Sequence, residues 1–125
     1  MNQRLPKSEK LKQEKIIKQL FAKGKGTFKY PFKVVTLPNV WIDDNEVPRN
    51  PQVLVSVSKK KFKKAVDRNR IKRQIREAYR LNKSAWLAGL DNKPAHLAII
   101  YVAKEFNEST LMNKNLLKAL KLLTK

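Results

Sequence analysis

Apolar and polar residues alternate along this chain with two different periods, and each change of period marks an element. Leu11, Ile16, Ile17, Leu20 and Phe21 recur at helical spacing, with Ser8 placed to cap the helix and Gly24 to end it. TFKYPFKVVTL (27–37) is rich in aromatic and β-branched residues and reads as strand. Pro31 inside it predicts either one kinked strand or two short ones, near a sheet edge. PNVWIDDNEVPRNP (38–51), with its prolines and acidic tip, reads as a surface loop between paired strands. QVLVSVS (52–58) alternates strictly, Val53, Val55 and Val57 on one face and Leu54, Ser56 and Ser58 on the other. HLAIIYV (96–102) is nearly all apolar, the pattern of a central strand. Ser109 can cap a last helix that turns Leu116, Leu117, Leu120 and Leu123 inward. The order helix, strands, helix, strand, helix predicts an α/β (α+β) two-layer sandwich. With no repeat or Gly/Ser linker, residues 1–125 read as one domain.

The middle helix carries the most information. On a wheel of about 100° per residue, Ile71, Ile75, Ala78, Tyr79 and Asn82 form a core-facing stripe that Trp86 continues. Leu87 helps Trp86 pack the helix end. Asn69, Arg73, Arg76 and Arg80 form a stripe on the far side, flanked by Lys72 and Lys83, with Arg68 at the border of the two faces. Asp67 can cap the helix, and Glu77 can pair with Arg73 and Arg80. A solvated amphipathic face would intersperse acids, yet 68–80 holds six cations and Glu77 alone against them. Five of those six are Arg, in a chain where Lys dominates elsewhere. Guanidinium forks grip phosphate bidentately and stack on bases, which ammonium groups cannot do.

Charge extends that picture. The chain carries 29 Lys+Arg against 10 Asp+Glu, a formal +19, far more than solubility requires of a 125-residue domain. Residues 1–33 hold ten cations and two acids, and residues 59–83 hold twelve and two, so two segments supply nearly all of the net charge. A polyanion is the natural counterpart, nucleic acid before anionic membrane. Folding itself can draw on bound anions. SKKKFKKAV (58–66) runs directly into the Arg stripe, and Ser58 can cap a short turn there, extending one cationic surface. Cysteine is absent, which excludes disulfides, thiolate chemistry and zinc fingers. No apolar leader or membrane-length run is present, so a cytoplasmic protein is expected.

SVSKKKFKKAVDRNRIKRQIREAYR resembles the signature of the bacterial ribonuclease P protein subunit, centred on Arg68-Asn69-Arg70 with Ile71-Lys72-Arg73 and Arg76 after it. The flanks agree: Leu20-Phe21 with Gly24, then Phe32-Lys33-Val34-Val35, and a late IIYV strand before a Leu-rich helix. The resemblance implies a mixed sheet of about four strands with three helices and a left-handed βαβ crossover, against the general right-handed preference. It implies a protein cofactor of a catalytic RNA that removes the 5′ leader of precursor tRNA. The Mg²⁺ would be held mainly by the RNA, with no organic cofactor and no metal site on the protein. The implied partners are ribonuclease P RNA and precursor tRNA, one protein with one RNA, with no membrane and no further protein required. By position, Lys59, Lys60, Lys64, Arg70, Arg73, Arg76 and Arg80 would meet the catalytic RNA. Ile17, Phe21, Lys33, Val35, Ser56, Arg68, Asn69 and Lys72 would line a cleft for the single-stranded leader, with Phe21 able to stack on a base. Ile17 and Val35 stand where some relatives carry aromatics, and Phe62-Lys63-Lys64 where some carry Gly-Asn. Leader contact here is therefore expected to be more electrostatic and less base-selective.

Independent catalysis has little to draw on. A single histidine, His96, rules out paired-imidazole ribonuclease chemistry and reads as a structural residue at the start of a strand. Asp43, Asp44 and Glu46 can in principle bind a metal, but they sit on a Pro-bounded loop with no regular element to fix them. No catalytic residue is assigned. Two other classes compete: a ribosomal or other structural RNA-binding protein, and a DNA-binding module with the Arg stripe in a major groove. The first accounts for the charge but not for the Arg-Asn-Arg signature. The second lacks helix-turn-helix spacing, because a strand precedes the helix.

Overall fold

The computed structural model describes residues 10–37, 41–42, 51–88, 90 and 93–124. Its elements run α1 (Glu14–Lys23), β1 (Lys25–Lys29), β2 (Phe32–Thr36), β3 (Trp41–Ile42), β4 (Gln52–Val57), α2 (Ala65–Leu87), β5 (Lys93–Pro94), β6 (His96–Tyr101) and α3 (Ser109–Leu123). The main sheet is ordered β1-β2-β6-β4, with β1/β2 and β2/β6 antiparallel and β4/β6 parallel. The apolar HLAIIY run is thus an inner strand, as its pattern predicts, and β4-α2-β6 is a βαβ unit. β2 and β4 flank β6 and do not pair with each other. The segment 27–37 divides at a cis Tyr30-Pro31 bond into two short strands, and β1 is an edge. A second small sheet pairs β3 with β5, which the sequence pattern did not signal.

Strand alternation sorts the core. Val53, Val55 and Val57, with Phe32, Val34, Leu97, Ile99 and Tyr101, bury one sheet face under α2 and α3. Ile71, Ile75, Ala78, Tyr79, Trp86 and Leu87 supply the α2 side of that layer. Leu116, Leu120 and Leu123 supply the α3 side, with Leu117 packed at its margin. This is the two-layer body. α1 covers part of the other face, where Leu20, Val35 and Ala98 are buried and Ile16, Ile17 and Leu54 pack around them.

Three helix starts differ from expectation. Ser8 lies outside the described residues, and α1 starts only at Glu14, after Gln13. The chain before it is extended: Lys10 bridges to Val53, and the Leu11 N–H donates to Val53 O at 2.9 Å, so these residues cover the β4 edge. α2 is preceded by Lys64 and α3 by Glu108, neither with a side-chain cap, so Asp67 and Ser109 do not cap. Asp67 lies instead in the first turn of α2, where its carboxylate meets the positive end of the helix dipole. Gly24 ends α1 as predicted, for a steric reason: a Cβ there would stand 2.2 Å from Leu20 O and 2.3 Å from Val35 Cγ1. Only glycine lets α1 turn so closely onto β2.

Candidate nucleic-acid interface

The cationic surface begins where the chain leaves β4. Ser58 Oγ accepts the Lys60 N–H at 3.2 Å, and Ser58 O accepts the Phe62 N–H at 3.1 Å, which closes a single turn. Phe62 anchors that turn in the core, its ring centroid 6.0 Å from Tyr101 and 5.5 Å from Phe106. Lys61 Nζ donates to Val102 O at 2.7 Å. From α2, Arg68 Nη1 donates to Phe62 O at 2.8 Å and to Lys63 O at 2.9 Å. So fastened, the turn leaves Lys59, Lys60 and Lys64 exposed beside the start of α2.

Along α2 the two stripes fall as the wheel predicts. Asn82 ties the helical layer together, its Nδ2 donating to Ala78 O at 2.9 Å and to Asn113 O at 2.8 Å. Asn69, Arg70 and Arg73 are exposed, while Lys72, Arg76 and Arg80 are half-buried. The Arg70 guanidinium lies over the Phe106 ring, 4.7 Å from its centroid, which steadies it while its edges stay open. Glu77 pairs with Arg80 at 2.5 Å, and among the described residues it forms no ion pair with Arg73. The hydrogen bond from Arg80 holds the Glu77 carboxyl below its usual range, and Glu77 in turn raises Arg80. Arg80 is therefore partly committed within the helix, whereas Arg73 offers its whole fork to solvent.

A cleft of about 320 Å³ opens on the opposite sheet face, between the end of α1 and the β1–β2 hairpin. Phe21, Lys33 and Val35 meet there, three of the eight residues expected in a leader cleft. Phe21 is 54% exposed and Lys33 is exposed. Ile17, on α1, packs against the cluster that holds Leu20 and Val35, and Ser56 lies half-buried on the same sheet face. Arg68, Asn69 and Lys72 are not among the residues lining this cleft. Arg68 is engaged in the turn, and Asn69 is exposed on α2. Lys72 lines a second groove of about 240 Å³ along the β4 edge, with Arg76, Lys10 and Lys12 over a Val53–Val55 floor.

Sequence reasoning missed three contributors, Phe28, Lys10 and Lys12. Phe28 is 61% exposed on the cleft rim, opposite Lys33 in the β1–β2 register. Period-2 alternation places it on that face, but an exposed Phe has the same sequence signal as a buried one. Lys10 and Lys12 were absorbed into a helix that in fact starts later.

The remaining candidates bring little chemistry together. His96 is half-buried at the start of β6, and its carbonyl accepts the Thr36 hydroxyl at 2.7 Å. Asp43, Asp44 and Glu46 lie outside the described residues. Among the described residues no group of three or more His, Asp or Glu is arranged to hold a metal ion.

Comparison with known proteins gives this arrangement a family context. Residues 5–125 match the family described as Ribonuclease P. The ribonuclease P protein component of Porphyromonas gingivalis is 36% identical over 118 residues, spanning 93% of this chain and 83% of that protein. That of Chlorobaculum tepidum is 37% identical over 107 residues, spanning 80% of this chain and 68% of that protein. The RNase P protein of Staphylococcus aureus superimposes with a TM-score of 0.66 at 27% identity, over 93% of this chain and 95% of that one. That of Thermotoga maritima shares the fold, with a TM-score of 0.66 at 24% identity over 91% and 96% of the two chains.

Proposed function

Because this chain belongs to the ribonuclease P protein family, we propose that it is the protein cofactor of ribonuclease P, binding the catalytic RNA and the 5′ leader of precursor tRNA. The observation that carries this reading is the continuity of the cationic surface. The Lys59–Lys64 turn and the outward side of α2 form one exposed region, pinned by Arg68 and backed by a buried stripe. Phosphates of the folded RNA are the ligands that Arg70, Arg73 and Arg76 suit, by bidentate geometry and by charge. Arg80 joins them when it exchanges Glu77 for phosphate.

The leader is assigned to the cleft on the other sheet face. There Phe21 offers a stacking surface and Lys33 a counter-charge for the backbone. Val35 and Ile17 add aliphatic contact without base selectivity. Lys72 and Arg76, in the groove at the β4 edge, stand between the two surfaces and can bridge leader and catalytic RNA. The protein thus orients the substrate, and the hydrolysis of the leader is assigned to the RNA and its Mg²⁺. The described residues do not fit a Mg²⁺ site, which needs a cluster of oxygen ligands, and the charge around the interface opposes one.

The test is cleavage of precursor tRNA by a transcribed bacterial ribonuclease P RNA at low Mg²⁺, with and without this protein. Cleavage at the mature 5′ end only when both are present is the expected result. No stimulation with the cognate RNA would favour a structural RNA-binding protein. Cleavage by the protein alone would overturn the assignment of chemistry to the RNA.

A further inference from the structure

A third cationic surface lies at the β1 edge of the sheet, on the helical face, with the Phe21 cleft on the opposite face of the same strand. α3 has no acidic residue, and Lys114, Lys118 and Lys121 recur along it at i, i+4 and i+7, all exposed. β1 runs beneath this helix: the Thr27 hydroxyl donates to Ala119 O at 2.9 Å, fixing one face of the strand toward α3. Lys25 and Lys29 lie two residues to either side of Thr27, so they share that face. Lys29, Lys118 and Lys121 converge on one groove of about 350 Å³, with Leu122, 48% exposed, as its apolar floor. None of these lysines is ion-paired among the described residues. The acid that precedes them on this helix, Glu108, stands six residues ahead of Lys114 and ten ahead of Lys118, about 9 and 15 Å along the axis.

Solvated lysines ordinarily spread apart. Here three from two elements meet around one concave site whose described lining holds no carboxylate, which is charge complementarity to a polyanion. We infer that the α3–β1 groove binds the phosphate backbone of a second segment of the catalytic RNA, separate from the segment held by α2. This inference rests on the proposed function and extends it.

Placement argues for the same RNA rather than for precursor tRNA. α2 and α3 cover one face of the sheet, while the Phe21 cleft opens on the other. The groove at α2 and the groove at α3 lie at opposite sheet edges, β4 and β1. Three interstrand spacings put at least about 14 Å between them, so a folded RNA must reach around the helical layer to fill both. A membrane is the poorer fit. α3 uses Met112, Leu116, Leu120 and Leu123 in the core and turns only Leu111 and Leu122 outward, too little to embed in a bilayer interface. Lys rather than Arg suits backbone contact without base reading.

The test compares the full chain with Lys29→Gln/Lys118→Gln/Lys121→Gln and with Arg73→Ala/Arg76→Ala. Binding of transcribed ribonuclease P RNA, of precursor tRNA, and of phosphatidylserine-containing vesicles is measured against salt, after circular dichroism confirms the fold of each variant. Removing three lysine charges from phosphates should flatten the logarithmic salt slope for ribonuclease P RNA by about 2. The affinity change between 50 and 200 mM salt then shrinks roughly 16-fold. The α2 variant should flatten it separately and additively. An unchanged slope for the lysine variant beside a flattened one for the α2 variant would overturn the inference and leave the proposed function standing. If neither slope changes, both fall together. An effect confined to precursor tRNA or to vesicles would overturn the assignment to the catalytic RNA.

Discussion

Replacing Arg68 with Ala tests whether this residue positions the interface or contacts RNA. Its Nη1 donates to two consecutive carbonyls, Phe62 O and Lys63 O, at 2.8 and 2.9 Å. Hydrogen bonds to charged groups are worth about 1.5–3 kcal/mol each, and solvent access to the turn favours the low end. Both carbonyls can be rehydrated, and removing one cation relieves some self-repulsion. The net loss on Arg68→Ala should therefore be about 1–2 kcal/mol, a fall in Tm of roughly 5 °C for a domain of this size. Arg68→Lys separates charge from reach, because the lysine ammonium keeps the charge on a side chain one bond shorter than the one that brings Nη1 to both carbonyls. Thermal unfolding followed by circular dichroism in sulfate should show the Lys variant nearly as destabilised as the Ala variant. Affinity for ribonuclease P RNA should fall in both, because the Lys59–Lys64 turn is no longer fixed. A melting temperature within about 1 °C of wild type, with a loss confined to precursor tRNA carrying a leader, would refute the positioning role and place Arg68 in the leader path.

Arg73→Ala/Arg76→Ala should flatten the salt slope for ribonuclease P RNA by about 1.4–1.8 without unfolding the domain, and an unchanged slope would remove α2 from the interface. Glu77→Gln should tighten RNA binding at neutral pH, since it frees Arg80 and deletes an acid from the stripe; filter binding at fixed salt would show it. The same pair has a pH signature. The folded carboxyl titrates below its unfolded value, so the pair's contribution to stability is complete above the unfolded value and is lost as pH falls through the folded one. In Glu77→Gln the low-pH loss in Tm should shrink accordingly. Gly24→Ala should cost about 1–3 kcal/mol and lower the urea midpoint by about 1 M, because its Cβ meets Leu20 O and Val35 Cγ1. Gly26→Ala, with its nearest contacts at 3.1 and 3.3 Å, should cost less.

The sequence discloses most where one period persists. Val53, Val55 and Val57 are buried on one face of β4 with Leu54 and Ser56 half-buried on the other, and Ile71, Ile75, Ala78 and Tyr79 are buried along α2, as their spacing requires. Caps were the weak point, since a cap depends on where the preceding chain goes. α1 starts late because Leu11 is hydrogen-bonded to Val53, a contact 42 residues away that no local pattern encodes. The assignment of Arg68, Asn69 and Lys72 to the leader cleft came from the family resemblance and from wheel position, and a wheel does not show what lies beyond the helix. Arg68 turned back to the chain before it, and Lys72 found the β4 edge instead. The α3–β1 groove was invisible for the same reason. Its lysines are scattered at 29, 118 and 121, and only the packing of α3 on β1 brings them together.

That scattering bears on why so much charge is retained. A single phosphate surface would account for the twelve cations of 59–83, but the cations of β1 and α3 lie at the other sheet edge. Self-repulsion falls as cations are spread, so distributing them around the fold costs less than crowding them onto α2. A distributed surface also suits an RNA that bends around the protein, because each contacted segment then releases its own counterions. The core is correspondingly conventional: the buried stripes of α2 and α3 close on the sheet through apolar packing and the Asn82 bonds. Stability is thereby placed on the inward side of α2 and α3, and the cations proposed to meet RNA on the outward side.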